Sequence, residues 1–227
     1  MPTLIVNSTE YNVPEDYSIG KWTELLKWSA NENKLISLAY GLPPSVIDRM
    51  SPETKHLALC FIVGTLYPSY QPINRSVKGH TLINFSEIKL GQFIDLEVYI
   101  GRDYVKHIKE IISILYQTQV TDDWFIGDVY GALQSYFKWR ITLYNSYKNL
   151  FNIENNIEDE VDDYHDSKID VAHVWYDTIM ILADGKFINI ENVTEKPLVE
   201  ALNYLAWHKT KIEREAEALR LAKAQIK

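Results

Sequence analysis

Hydrophobic residues along this chain recur mostly at intervals of three and four, the spacing of one helix face, and alternate only near the start. There "TLIV" and "EYNV" flank "NST", which predicts a small β-hairpin closed off by Pro14. "GKWTELLKWSA" has helical spacing through Trp22, Leu25, Leu26 and Ser29, and "KLISLAY" predicts a second helix ended by Gly41 and "LPP". Ser45 and Ser51 have the residue type of N-caps, the latter followed by Pro52 and Glu53, and the helix from Ser51 is expected to end near Leu66. "PSYQPINRSVKGH", residues 68–80, has no period and reads as a linker or long loop.

The remainder is strongly helical in pattern. "LGQFIDLEVYIG" predicts a short helix, and "YVKHIKEIISILY" puts Tyr104, Val105, Ile108, Ile111, Ile112, Leu115 and Tyr116 on one face of another. A longer helix is expected over 128–151. "NIENNIEDEVDDYHD" is expected to be an exposed acidic loop. "VAHVWYDTIMILA" predicts a helix stopped by Asp184-Gly185, and "KFINI" a brief extended segment. Thr194 can cap a last helix that tolerates Pro197 in its first turn. In it Leu198, Leu205, Ile212, Leu219 and Ile226 recur every seven residues, while the companion positions Leu202, Lys209, Ala216 and Lys223 become polar. Such a helix starts in the globule and projects outward, leaving Leu205, Ile212, Leu219 and Ile226 as a narrow stripe for a partner. The expected class is therefore mainly α (α+β): a hairpin-plus-helices unit over 1–67, a linker over 68–80, a helical core over 81–193 and an extended helix over 194–227.

Composition narrows the function more than it names it. At 227 residues with 46% hydrophobic and 24% charged, the chain can bury a real core. A net charge of −8 argues against a nucleic-acid binder, which needs clustered Lys and Arg to neutralise phosphates. No apolar run approaches the roughly 20 residues of a membrane span, and no signal peptide is visible, so a soluble cytoplasmic protein is expected. Asn-x-Ser/Thr matches at Asn7, Asn74, Asn84 and Asn192 are then chance. Lone Cys60 excludes an internal disulfide and reads as a buried small hydrophobe.

The search for chemistry turns up carboxylates and histidines without a constellation. Asp95 and Glu97 stand two apart, about 200° on a helix, so they cannot share a proton or a metal. They read as the wet edges of a helix packed through Phe93, Ile94 and Leu96, and Phe93, Asp95 and Glu97 as a docking edge. His165-Asp166 suggests a metal-dependent phosphohydrolase of the His-Asp type, with His56, His107, His173 and Asp177 in no recognisable order around it; His173 reads as a core histidine. The acidic loop lacks the glycine and closing glutamate of a calcium loop, and phosphate-loop, dinucleotide and nucleophile-elbow motifs are missing from the sequence. No catalytic, metal or cofactor-binding residue, and no small-molecule substrate, is expected.

Three stretches taken together carry a resemblance. "INFSEIKLGQFIDLEVYIG" before "ILYQ", "HVWYDTIMILADGKFINIENV" before a charged terminal helix, and "TLIVNSTEYNVPEDYSIGKWTELLKW" at the start resemble the baseplate-hub proteins and hub-assembly factors of T-even-like phages. The resemblance covers nearly the whole chain but rests on packing residues. It implies a non-enzymatic virion subunit or assembly chaperone, in the host cytoplasm during assembly or incorporated in the virion tail. Its partners would be other tail or baseplate proteins, or further copies of itself. A helical neck or capsid component is the neighbouring alternative.

Overall fold

In the computed structural model, residues 3–6, 9–12, 15–67, 71–151 and 171–225 are described. The chain is mainly helical, with eleven α-helices among these residues and two short antiparallel hairpins. It divides into two compact units, each assembled from separated stretches: Met1–Leu82 with Asp103–Ser135, and Ile83–Arg102 with Tyr136–Lys227. This differs from four consecutive segments, because the unit limits fall inside α5 (Leu90–Asp103) and α7 (Ile126–Ser146).

The first unit opens with β1 (Thr3–Val6) paired to β2 (Thr9–Asn12), Leu4 facing the core. Helix α1 (Ile19–Lys27) is capped by Ser18, whose Oγ accepts from the Lys21 N–H. Its buried face, Ile19, Trp22 and Leu25, follows the predicted spacing. Trp22 satisfies its indole N–H on the Leu66 carbonyl at 3.0 Å, as a buried donor must. Asn31 caps α2 (Glu32–Tyr40), which ends on Gly41 at φ 67°, a left-handed position that suits glycine. The short α3 (Pro44–Ile47) starts on its proline and contains Ser45, so only Ser51 acts as a cap, starting α4 (Pro52–Leu66).

Residues 71–82 are not a loose linker. Gln71 N–H donates to the Gln134 side chain, Asn74 Nδ2 donates to the Asp128 carbonyl, and the Tyr116 hydroxyl donates to the Asn74 carbonyl at 2.7 Å. A Cβ on Gly131 would stand 2.3 Å from the Pro72 carbonyl oxygen, so this close crossing requires glycine. The strap then forms β3 (Ser76–Val77) and β4 (His80–Thr81) around Lys78 and Gly79, both at positive φ as a type I′ turn requires. Asp16 closes the unit: its carboxylate accepts the Gly127 N–H at the start of α7 and the Tyr17 N–H.

Helix α6 (Ile108–Leu115) buries Ile108, Ile111, Ile112 and Leu115 as predicted, but starts a turn later than the pattern suggests. Asp103 accepts the backbone N–H groups of Val105 and Lys106, holding Tyr104–His107 as a turn. Cys60 is exposed rather than buried. The buried stripe of α4 is Ala58, Ile62 and Leu66, and Cys60 lies two residues off it, toward the opposite face.

The second unit contains the first part of α5, the second part of α7, α8 (Lys148–Phe151), α9 (Val171–Leu182), α10 (Ile190–Thr194) and α11 (Leu198–Gln225). Phe93 is fully buried, edge-on to Trp175 at 5.5 Å and near Trp139 and Tyr144. Asp184 and Gly185 both take positive φ after α9, so the predicted stop is there. "KFINI" is a 3₁₀ turn at Phe187–Asn189 running into α10, not an extended segment. Thr194 ends α10 instead of capping the last helix. The Leu90 N–H donates to the Lys196 carbonyl and the Leu198 N–H to the Ile88 carbonyl, fixing the start of α11 beside the start of α5. No helix among the described residues is long and apolar enough to cross a membrane.

Candidate functional site

The carboxylate pair of "QFIDLE" separates as the helix geometry requires, but not into two wet edges. Asp95 is exposed, whereas Glu97 is 4% exposed, the one charged side chain buried among the described residues. On α5, Leu90, Phe93, Ile94 and Glu97 follow the i, i+3, i+4, i+7 rule, so Glu97 lies on the apolar face. Its charge is met from α7. Arg140 donates through Nε and Nη2 to the two carboxylate oxygens, each at 2.6 Å, and the Tyr144 hydroxyl donates at 2.5 Å. The guanidinium also lies over the Tyr144 ring at 4.7 Å. Phe93 and Glu97 therefore belong to the interior of the unit. Of the docking edge expected from the sequence, only Asp95 is on the surface.

Burial alone would lower the Arg140 pKa, but the bonded Glu97 carboxylate outweighs it and raises the value. Burial, then the nearby Glu97 charge, pushes the Tyr144 and Tyr136 hydroxyls above the ordinary tyrosine value. The Tyr136 hydroxyl is buried without a hydrogen-bond partner. Three donors already occupy most of the lone-pair capacity of Glu97, and the polar side chains that bond it are an arginine and a tyrosine rather than a nucleophile. The cluster ties α5 to α7.

The cluster lines one wall of an open groove of about 700 Å³ whose residues come from α5, α7, α8, α9 and α11. Trp175, Ile181, Leu202, Leu205 and Ile212 supply apolar surface, with Arg140 and Lys209 as cations along it. Lys209 Nζ donates to the Asn149 carbonyl and the Tyr147 hydroxyl to the Asn203 side chain. The sequence reading did not find this groove, since its walls come from five separated helices.

The terminal stripe is placed as expected in part. Leu205 and Ile212 border the groove, and Leu219 is 57% exposed on the free half of α11. Ile226 lies outside the described residues, as do His165, Asp166 and the whole acidic segment Glu154–Asp166. His173 is exposed rather than core, because α9 buries Trp175 instead. Among the described residues no group of three or more His, Cys, Asp or Glu side chains gathers as a metal site.

A second surface feature escaped the sequence reading. From Leu57 to Val63 helix α4 is apolar around its circumference, exposing Leu57, Phe61 and Val63, and no Asp, Glu, Lys or Arg occurs from His56 to Asn74. A helix with no polar side is ordinarily an interior one. Comparison with protein-family models, with curated proteins and with solved structures finds no match to this chain.

Proposed function

We propose that this chain is a non-enzymatic structural or assembly protein of a phage tail or baseplate, working through contacts with other tail proteins. The observation that carries the docking role is the free half of α11: every residue from Thr210 to Ala224 is exposed, yet Ile212 and Leu219 continue the seven-residue repeat. A helix without tertiary packing gains little in water, so a charged helix held out with a regular apolar stripe is a handle for a partner. The uncovered apolar face of α4 supports the same reading. The tail assignment rests on the resemblance of "LGQFIDLEVYIG", "HVWYDTIMILADGKFINIENV" and the opening segment to baseplate-hub proteins and their assembly factors. The place of action would be the host cytoplasm during assembly, or the finished tail.

The test is removal of residues 214–227, a cut placed beyond Glu213 because His208, Lys209, Ile212 and Glu213 border the groove. The shortened chain should melt within about 2 °C of the full chain, since exposed residues contribute little to stability. It should fail to restore particle production in a phage whose own copy of the gene is disrupted, and should no longer sediment with tail intermediates. Restored particle production by the shortened chain overturns the docking role of the helix. Normal tails formed with the whole gene disrupted overturn the tail assignment.

A further inference from the structure

The repeat on α11 continues where the groove ends, and its flanks are charged in a pattern that matches itself. With Leu205, Ile212 and Leu219 as one seam position, Lys209, Ala216 and Lys223 occupy the other. Glu213 and Arg220 then border the seam on one side, His208 and Glu215 on the other. In a parallel pair of helices, each residue on the second side faces the residue five further on in the other helix. Glu215 then meets the second copy's Arg220, twice by symmetry, and His208 meets Glu213. Both are pairings of acid with base. An antiparallel pair can also set Glu213 against Arg220, but it then lays Ile212 against Lys223, whereas the parallel pair stacks Ile212 on Ile212 and Leu219 on Leu219.

We propose that α11 pairs in parallel and in register with α11 of a second copy of this chain, through Ile212, Ala216 and Leu219, with Glu215 of one copy facing Arg220 of the other. This rests on the reading of α11 as a docking element and names its partner. Lys223 at a seam position favours two strands over three or four, because only at a two-stranded seam can its stem lie along the partner while the ammonium group reaches water, whereas Lys209 already donates to the Asn149 carbonyl of its own chain. Arg220 already grips Glu217 on its own helix through both nitrogens at 2.8 Å, and Lys211 lies 3.9 Å from Glu215. Both contacts are exposed, so exchanging them for contacts across the pair costs little. Trp207 and Leu221, both more than half exposed, lie on the opposite face of the helix and stay free for a different partner.

The test measures the mass of the full chain by sedimentation equilibrium over a wide concentration range. The expected result is a monomer–dimer equilibrium that Ile212→Asp with Leu219→Asp abolishes, and that Leu219→Asp alone, clear of the groove, weakens without moving the melt. Glu215→Arg and Arg220→Glu should each raise the concentration of half-dimerisation about fivefold, and the two together should largely restore it. In a Cys60→Ser background, Leu219→Cys should form a disulfide between copies on mild oxidation, as side chains at one level of a parallel seam can. A monomer at every concentration overturns the pairing and leaves the tail-docking role to its own truncation test. A dimer that survives Ile212→Asp with Leu219→Asp overturns this surface, absence of the Leu219→Cys cross-link overturns the parallel register, and a trimer or tetramer mass overturns the two-stranded seam.

Discussion

Removing one member of the Glu97–Arg140 pair should be among the most damaging single changes in the second unit. Glu97→Gln keeps the shape but removes the charge that faces the guanidinium. Arg140→Met leaves a carboxylate at 4% exposure with only the Tyr144 hydroxyl to bond it. Breaking a buried pair from one side costs about 3–5 kcal/mol, because the remaining charge stays desolvated. Arg140 keeps 28% of its side chain exposed and can recover some water, so Glu97→Gln belongs near 3 kcal/mol and Arg140→Met nearer 4. Glu97→Gln with Arg140→Met removes both charges and should cost no more than the worse single change. That requires a coupling of about 3 kcal/mol. Urea unfolding followed by tryptophan fluorescence reports on it, since Trp139 and Trp175 lie within the same unit as the pair. Singles that each lie within about 0.5 kcal/mol of the parent, the range of ordinary surface changes, would refute the view that the pair holds α5 against α7.

Two further outcomes follow from particular contacts. Gly131→Ala should lower stability by roughly 2–3 kcal/mol in thermal or urea unfolding, since its Cβ meets backbone oxygens of Pro72 and Gln71 that cannot swing away; a neutral result would mean the 71–82 strap yields. In alkali, the buried Tyr17 and Tyr116 and the half-buried Tyr40, pushed up to about 12 by burial, hold their protons more tightly folded than unfolded. Their contribution is complete below pH 10 and is lost as pH rises toward 12, so, beyond the gradual absorbance of the surface tyrosines, the last tyrosinates should appear together with unfolding over that window; ionisation of all 15 tyrosines before any unfolding would contradict their burial.

What the sequence made legible was whatever one face of one helix decides. Ile108, Ile111, Ile112 and Leu115 declare α6 by spacing alone, Ser51 sits where a cap belongs, and the seven-residue repeat of α11 ends in an exposed helix. The misreadings came where a local pattern met a distant partner. Glu97 looked like a wet edge because its arginine lies 43 residues away. Its place on the Leu90–Phe93–Ile94 face was the available signal, an acid at an apolar position. The 71–82 strap looked loose because its anchors, Asp128, Gly131 and Gln134, belong to another helix. Cys60 looked buried because α4 is apolar all round from Leu57 to Val63, and hydropathy without a polar side gives no bearing on which face turns inward.

The discontinuous make-up of the two units also sets a schedule for biosynthesis. Residues 83–102 leave the ribosome before 103–135 complete the first unit, and well before 136–227 complete their own. Leu90, Phe93, Ile94 and Leu96 therefore wait in water while some 43 further residues are added before Arg140 emerges. At about 5–20 residues per second that wait lasts on the order of 2–9 s, ample time for a trigger-type chaperone to engage the nascent stretch. No single cut frees the second unit intact, whereas a fragment ending at residue 135 already carries all of the first; a nascent chain stalled at residue 102 holds an unfinished part of each, and should be the most protease-sensitive length in a series of stalled chains.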